Sequence, residues 1–157
     1  MGYFRERRNI ELSTVEHFRT QIDANWSNVT TVKSFLQSYS EKLPIICVGL
    51  IAPNSRRLEI GSNTLDKEYV IRFDIFAKSI GQRNDLADFI LDTAIEGWDY
   101  KEYSHKSGDA EVLDSITTGR INLWRVNSDV PLEFPENADE YDKFRHYIEV
   151  AVKKGQS

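Results

Sequence analysis

The sequence predicts an α+β domain, and three observations lead to that class. Segments that alternate between apolar and polar residues, above all Glu68–Ala77 and Phe144–Val152, predict strands. Two other segments, about Ile10–Asn25 and about Ile80–Glu96, repeat apolar residues at spacings of three and four and predict amphipathic helices. The chain of 157 residues, 40% hydrophobic and 29% charged, fits one globular domain over residues 1–157.

Composition and charge argue against several classes of protein. The formal net charge of −5 does not favour electrostatic binding of nucleic acid by the chain as a whole. The charged N-terminus does not resemble a signal peptide, and no apolar run reaches the length of a membrane span, so we expect no membrane partner. Cys47 is the only cysteine and lies in the apolar run Ile45–Ile51, so we expect a buried side chain in a reducing compartment.

The first nine residues carry a surplus of positive charge from Arg5, Arg7 and Arg8. The simpler interpretation of residues 1–9 is a solvated leader. The alternative is an arm that docks on a neighbouring subunit, with Tyr3 and Phe4 as its aromatic anchors.

The sequence predicts the first helix clearly, whereas the segment after it is ambiguous. Apolar residues from Leu12 to Trp26 form a helical stripe that we expect to face the core. Val29–Leu36 suits either a strand or a short helix, and its β-branched residues favour the strand.

A strand, a long return and a second strand follow. Ile45–Ile51 is apolar at odd and even positions alike, which predicts a central strand covered on both faces. Ala52–Lys67 forms the return, where Arg56 and Arg57 are candidate contact residues and Arg57–Ile60 extends the hairpin.

The strand Glu68–Ala77 has two different faces. The odd-numbered residues from Tyr69 to Ala77 are apolar, whereas Arg72 and Asp74 lie on the other face. Two opposite charges at this spacing indicate a solvated or interface face with cross-strand or cross-subunit partners. At the start of the second helix, Arg83 and Asp85 could extend that network.

The second helix has signals at both ends, and the rest of the chain is mostly strand. Ser79-x-x-Gln82 is a capping box, and Gly97 is placed to end the helix. Trp98–Tyr103 and Ile116–Val126 are predicted strands, and the latter should pair with Phe144–Val152. Between them lies an acidic link over residues 127–143, with candidate contact residues Glu133, Glu136, Asp139 and Glu140.

The sequence offers no catalytic constellation. Its three histidines lie in unrelated segments and there is no glycine-rich phosphate loop, so we expect no catalytic residue, no cofactor and no metal site. The best enzyme alternative is a metal-dependent nuclease that uses Asp74, Asp99 and Lys101.

Several strings resemble the tail-terminator and neck proteins of long-tailed bacteriophages. They are Arg7–Glu11 before the first helix, Leu43-Pro44-x-Ile46 at the first central strand, and Glu59–Ser62 in the return. The long strand Tyr69–Ala77 and the opening of the second helix, Gly81–Asp88, complete the resemblance, which covers most of the chain.

The resemblance implies a twisted, mostly antiparallel sheet with two main helices packed on it. It also implies a six-subunit ring that ends the tail tube and joins it to the head neck, in the virion after assembly in the host cytoplasm. The implied partners are further copies of the chain, the tail tube protein and a neck or head-completion protein. DNA would pass through the lumen without specific binding, and an acidic chain suits such a passage. Another non-catalytic neck or baseplate position is the alternative.

In that ring, basic residues of the arm, Arg7 and Arg8, would face carboxylates such as Glu136 or Asp139 on the next subunit.

Overall fold

A computed structural model describes residues 5–57, 65–105, 113–135 and 137–156 of the chain. The described part is an α+β fold with one curled, six-stranded, mixed sheet and two long helices, which confirms the predicted class. The elements in chain order are α1 Glu6–Asn25, β1 Thr30–Val32, a 3₁₀ helix Leu36–Ser40, β2 Ile45–Arg57, β3 Leu65–Phe76, α2 Ile80–Glu96, β4 Trp98–His105, β5 Leu113–Leu132, the one-turn α3 Glu140–Lys143 and β6 Arg145–Gln156.

The sheet has the order β1-β2-β3-β6-β5-β4. Only the β1–β2 pair is parallel, and the other four pairs are antiparallel, as the resemblance implied. The predicted pairing of the last two strands is confirmed, and β6 also pairs with β3. The C-terminal strand therefore joins the β2–β3 hairpin to the β4–β5 hairpin.

The helix α1 begins earlier than the sequence predicts, at Glu6. Residues 6–9 are therefore helical and not part of an extended arm. The Asn9 side chain is buried and accepts the backbone N–H of Tyr103, while the Glu6 carboxylate accepts the Tyr69 hydroxyl at 2.6 Å. These contacts hold the start of α1 against the sheet.

The helix α2 has the predicted bounds because both of its end signals are local. The Ser79 hydroxyl accepts the backbone N–H of Gln82 at 3.2 Å, and the Gln82 side chain accepts the backbone N–H of Lys78 at 2.8 Å. Gly97 ends the helix at φ 71°, a conformation that favours glycine. A Cβ atom on Gly97 would also lie 2.8 Å from the backbone oxygen of Ile121, so this position has no room for a side chain.

Strands replace much of what the sequence suggested were loops. The strands β2 and β3 remain paired as far as Arg57 and Leu65, so most of the predicted return is regular hairpin. Likewise β5 runs to Leu132, so the acidic link is shorter than residues 127–143. The segment 29–36 yields only the three-residue β1.

Both long helices cover the same face of the sheet, which we call the inner face. The odd-numbered residues of β3 from Tyr69 to Ile75 are fully buried there, as predicted, with the even-numbered residues Ile148, Val150 and Val152 of β6 beside them. This inner face holds the main core.

Trp98 anchors α1 to the edge strand β4 within that core. It is fully buried, and its indole N–H donates to the Thr14 hydroxyl at 3.1 Å. The Phe18 ring meets it edge-on at 5.1 Å between centroids, and the His17 ring stacks on it at 5.9 Å. Trp98 is therefore the largest buried side chain in the contact between α1 and β4.

Stability should depend on pH through His17. Burial lowers the pKa of its imidazole from 6.5, with Asp99 and Glu96 opposing that effect and Arg120 and Lys101 adding to it. The unfolded chain therefore takes up a proton near pH 6.5 that the folded chain takes up only at lower pH, so stability falls as the pH falls below 6.5. Urea unfolding at neutral and mildly acidic pH should show a smaller loss for His17→Gln than for the wild type. An equal loss in both proteins would contradict this role.

A second, smaller cluster lies on the opposite, outer face and contains the single cysteine. Cys47 is buried there with Val32, Ile45 and Phe76, which confirms the predicted burial. Burial, together with the nearby Asp74 carboxylate, raises the pKa of the Cys47 thiol to about 11.

The Cys47 thiol should therefore react slowly in the folded protein. At mildly alkaline pH the raised pKa leaves few thiolates, and we expect labelling by a disulfide reagent to be at least ~100-fold slower than in urea. Introducing Ser27→Cys, at an exposed turn position, in a Cys47→Val background provides the reactive control. Fast labelling of native Cys47 at the rate of that control would show that the thiol is open to solvent.

Candidate interaction surface on the outer sheet face

Over the described residues, no α-helix longer than one turn covers the outer face, although the 3₁₀ helix packs Tyr39 on Phe76 at one end of it. Directly paired residues of antiparallel strands point to the same side, so the register assigns this face to the even-numbered residues of β3 and the odd-numbered residues of β6. Its β5 positions include Ser128 and Val130, and its β2 positions include Gly49. Trp124 lies at a register shift of β5, and its contact with Lys153 of β6 places it on the same face. One continuous surface thus crosses four strands.

Charged side chains on this surface neutralise one another. The Arg72 guanidinium lies 3.1 Å from the Asp74 carboxylate and 3.3 Å from the Glu149 carboxylate on β6. Two further pairs, at 2.9 Å and 3.0 Å, link β3 to its neighbours: Arg125–Glu68 and Lys153–Asp66. The cross-strand partners expected for Arg72 and Asp74 are therefore present within the chain.

Asp74 is the most buried member of this network. Its carboxylate is 3.3 Å from the guanidinium of Arg145, and both side chains are less than a tenth exposed. The Arg145 guanidinium also lies over the rings of Phe35 and Phe76, at 4.9 Å and 4.5 Å from their centroids. Burial raises the pKa of Asp74, although Arg72 and Arg145 both act to lower it. Burial thus disfavours the charged carboxylate, and the two cations oppose that effect.

Apolar side chains stand exposed between these ion pairs. Trp124 is 59% exposed, and the ammonium group of Lys153 lies 4.1 Å from its ring centroid. A shallow cavity of about 240 Å³ opens beside Arg72 and Asp74, between strands β2 and β3 on one side and Lys33 and Phe35 on the other. The other exposed apolar residues on or beside this face are Ile51, Ile116, Val130 and Phe134. Paired charges around exposed aromatic and aliphatic groups are typical of a protein-binding surface.

The other candidate residues lie elsewhere. Arg83 and Asp85 belong to α2 on the inner face, so the expectation that they extend the Arg72–Asp74 network is wrong. Arg7 is exposed on α1, and the Arg5 backbone precedes that helix. The Arg8 guanidinium donates to the backbone oxygen of Tyr103, so this side chain has a partner within its own chain.

Several carboxylates of the acidic link also have partners within the chain, among them Asp129, Asp139 and Asp142. The Asp139 carboxylate accepts the backbone N–H of Tyr141 at 2.9 Å and caps α3. Glu133 and Glu140 are exposed. Tyr3, Phe4, Glu136 and residues 58–64 lie outside the described residues, as do the side chains of Arg56 and Arg57. The proposed pairing of the N-terminal arginines with Glu136 or Asp139 of another subunit stays a prediction.

The residues of the nuclease alternative do not converge. Asp74 lies on β3, whereas Asp99 and Lys101 lie on β4, with β6 and β5 in between. Three strand spacings separate β3 from β4, roughly 14 Å. Asp99 pairs instead with Arg120 at 3.1 Å, and Lys101 pairs with Glu16 at 2.8 Å.

The described residues contain neither a candidate metal site nor a candidate membrane-spanning helix. No group of three or more histidine, cysteine, aspartate or glutamate side chains in that part of the chain could hold a metal ion. None of its helices is long and apolar enough to cross a membrane.

Sequence reasoning missed Arg145 and Trp124 as members of the site. Arg145 falls on the more polar side of the alternation in Phe144–Val152, but its link to Asp74 depends on β6 pairing with β3. By alternation Trp124 shares a face with Asn122, and its exposure follows from a sheet face that lacks a covering helix. Comparison of the chain with protein-family models and with curated protein sequences finds no match.

Proposed function

We propose that this chain is a structural virion protein of a long-tailed bacteriophage. In this proposal six copies form a ring that terminates the tail tube and joins it to the neck of the head, with DNA passing through the lumen. Its partners are further copies of itself, the tail tube protein and a neck or head-completion protein. The proposal includes no catalytic role, no cofactor and assembly in the host cytoplasm.

The outer sheet face is the observation that supports this proposal best. A ring between a tube and a neck needs a broad protein-binding surface, and a sheet face that no long helix covers, with exposed Trp124, provides one. Internal pairing of its charges means that few groups would lose their partners when water is excluded. In the proposed ring this face contacts the adjacent ring of the tail or neck.

The first test is the native mass of the purified protein by light scattering. A hexamer has a mass of about 109 kDa, six times the chain mass of 18.2 kDa. The second test is whether the protein stops the growth of tail tubes purified from the virus that encodes it. Wild-type protein that leaves tube length unchanged would contradict the proposed role and would favour another neck or baseplate position.

A substitution of Trp124 tests the surface itself. Trp124→Asp should remove tube capping while keeping the native mass, because it replaces the exposed aromatic ring of the outer face with a short charged side chain. Ile80→Asp is the matched control, since Ile80 is 56% exposed but lies at the first position of α2. Equal capping by both variants would show that the outer face does not bind the tube end.

A further inference from the structure

A second surface feature lies at the end of the molecule where α3 meets the start of α2. It is a groove of about 720 Å³ with an apolar floor formed by Leu43, Tyr141 and Phe144. Three lysines, Lys42, Lys78 and Lys143, line it, and Glu140 is the one acidic residue among the described residues of its lining. A chain with a net charge of −5 thus keeps one concave site basic.

These lysines have no carboxylate partner among the described residues. The ion pairs of that part of the chain use other cations, among them Arg72, Arg145 and Lys153. All three lysines are exposed at the groove. An apolar floor with a basic rim suits an acidic segment that also carries an apolar side chain.

The outward side of α2 has this composition. Asp85, Asp88, Asp92 and Glu96 are exposed, and none forms an ion pair with another described residue. At 100° per residue they share one side of the helix over about 16 Å of its length. Ile95, 68% exposed, lies on the same side. Like charges at helical spacing repel one another, so a cationic partner would stabilise them.

We infer that the groove of one copy binds the outward side of α2 of a second copy. The opposite side of α2, with Leu86, Ile90 and Ala94, is buried in the core, so the helix cannot turn its carboxylates into the groove of its own chain. Lys78, Lys143 and Lys42 would face the carboxylates, and Ile95 would meet the apolar floor. Two different patches meet in this contact, so repetition from copy to copy can close a ring. The size of that ring, six copies, rests on the proposed function.

Charge reversal on each patch tests the contact by light scattering. Lys78→Glu with Lys143→Glu, and separately Asp88→Lys with Asp92→Lys, should each raise the dissociation constant of self-association at least ~10-fold. All four substitutions in one chain should restore the wild-type mass. Mixing the two double variants brings each reversed patch to a patch of opposite charge on the other variant, so the equimolar mixture should also recover the wild-type mass, with the two variants alternating.

Arg19→Glu and Asp23→Lys serve as controls, because both residues are exposed on α1 and carry the same charges. They should leave the native mass unchanged. If both double variants keep the native mass of the wild type, the inferred contact is wrong. A hexameric mass of the wild-type protein would still support the proposed ring. A single-chain mass for the wild type at every concentration and at low salt would also overturn it. Tube capping then tests the proposed function separately.

Discussion

Replacement of Asp74 by alanine is expected to lower the free energy of unfolding by about 3–5 kcal/mol, because it leaves a buried cation without its partner. The Arg145 guanidinium is 8% exposed and would keep only the more distant Asp142 carboxylate, at 3.6 Å. Arg72 would lose less, since it is one-third exposed and keeps Glu149. Urea unfolding followed by circular dichroism measures the difference.

Two further variants separate this explanation from a general effect of substitution on β3 and β6. Glu149→Ala removes the more exposed carboxylate of the same network and should cost less than ~1 kcal/mol. Adding Arg145→Met to Asp74→Ala removes both charges and should recover most of the loss, because an apolar side chain suits the rings of Phe35 and Phe76. A double variant as unstable as Asp74→Ala would show that packing, and not the unpaired charge, explains the loss.

The elements that were predicted well are those with local signals. The helix α2 begins and ends where expected because Ser79 and Gly97 act within one turn of it. The buried face of β3 follows from alternation alone, since the alternate positions Tyr69, Ile71 and Phe73 all carry aromatic or aliphatic side chains. The start of α1 was missed because Asn9, which suits an N-cap, uses its side chain in contacts with Tyr100 and Tyr103.

The structural features that could not be predicted from the sequence depend on pairing between distant segments. The strand β6 lies between β3 and β5, and this order makes Arg145 and Glu149 neighbours of β3. Register shifts at Leu123/Arg125 and Val126/Ser128 interrupt the alternation of β5, so the strand after Val126 was interpreted as a loop. The outer face could be anticipated only as the polar side of β3, because its extent depends on which faces the helices leave uncovered.

The largest loss of packing should follow Trp98→Ala, which we expect to cost about 3–5 kcal/mol. Such a loss is a large share of the ~5–15 kcal/mol that stabilises a typical domain, so the variant should be partly unfolded at moderate temperature. Truncation removes the ring that Phe18 and His17 contact and leaves the buried Thr14 hydroxyl without the indole donor.

Trp124→Ala is the matched control, since the same truncation on the outer face starts from a side chain that is 59% exposed. It should change the free energy of unfolding by less than ~1 kcal/mol while reducing tube capping. Because Trp98 joins α1 to β4, its loss should expose the α1 amides to hydrogen exchange before those of β3. A Trp98→Ala protein as stable as Trp124→Ala would show that α1 is held by other contacts, with Asn9 and Glu6 the first to examine.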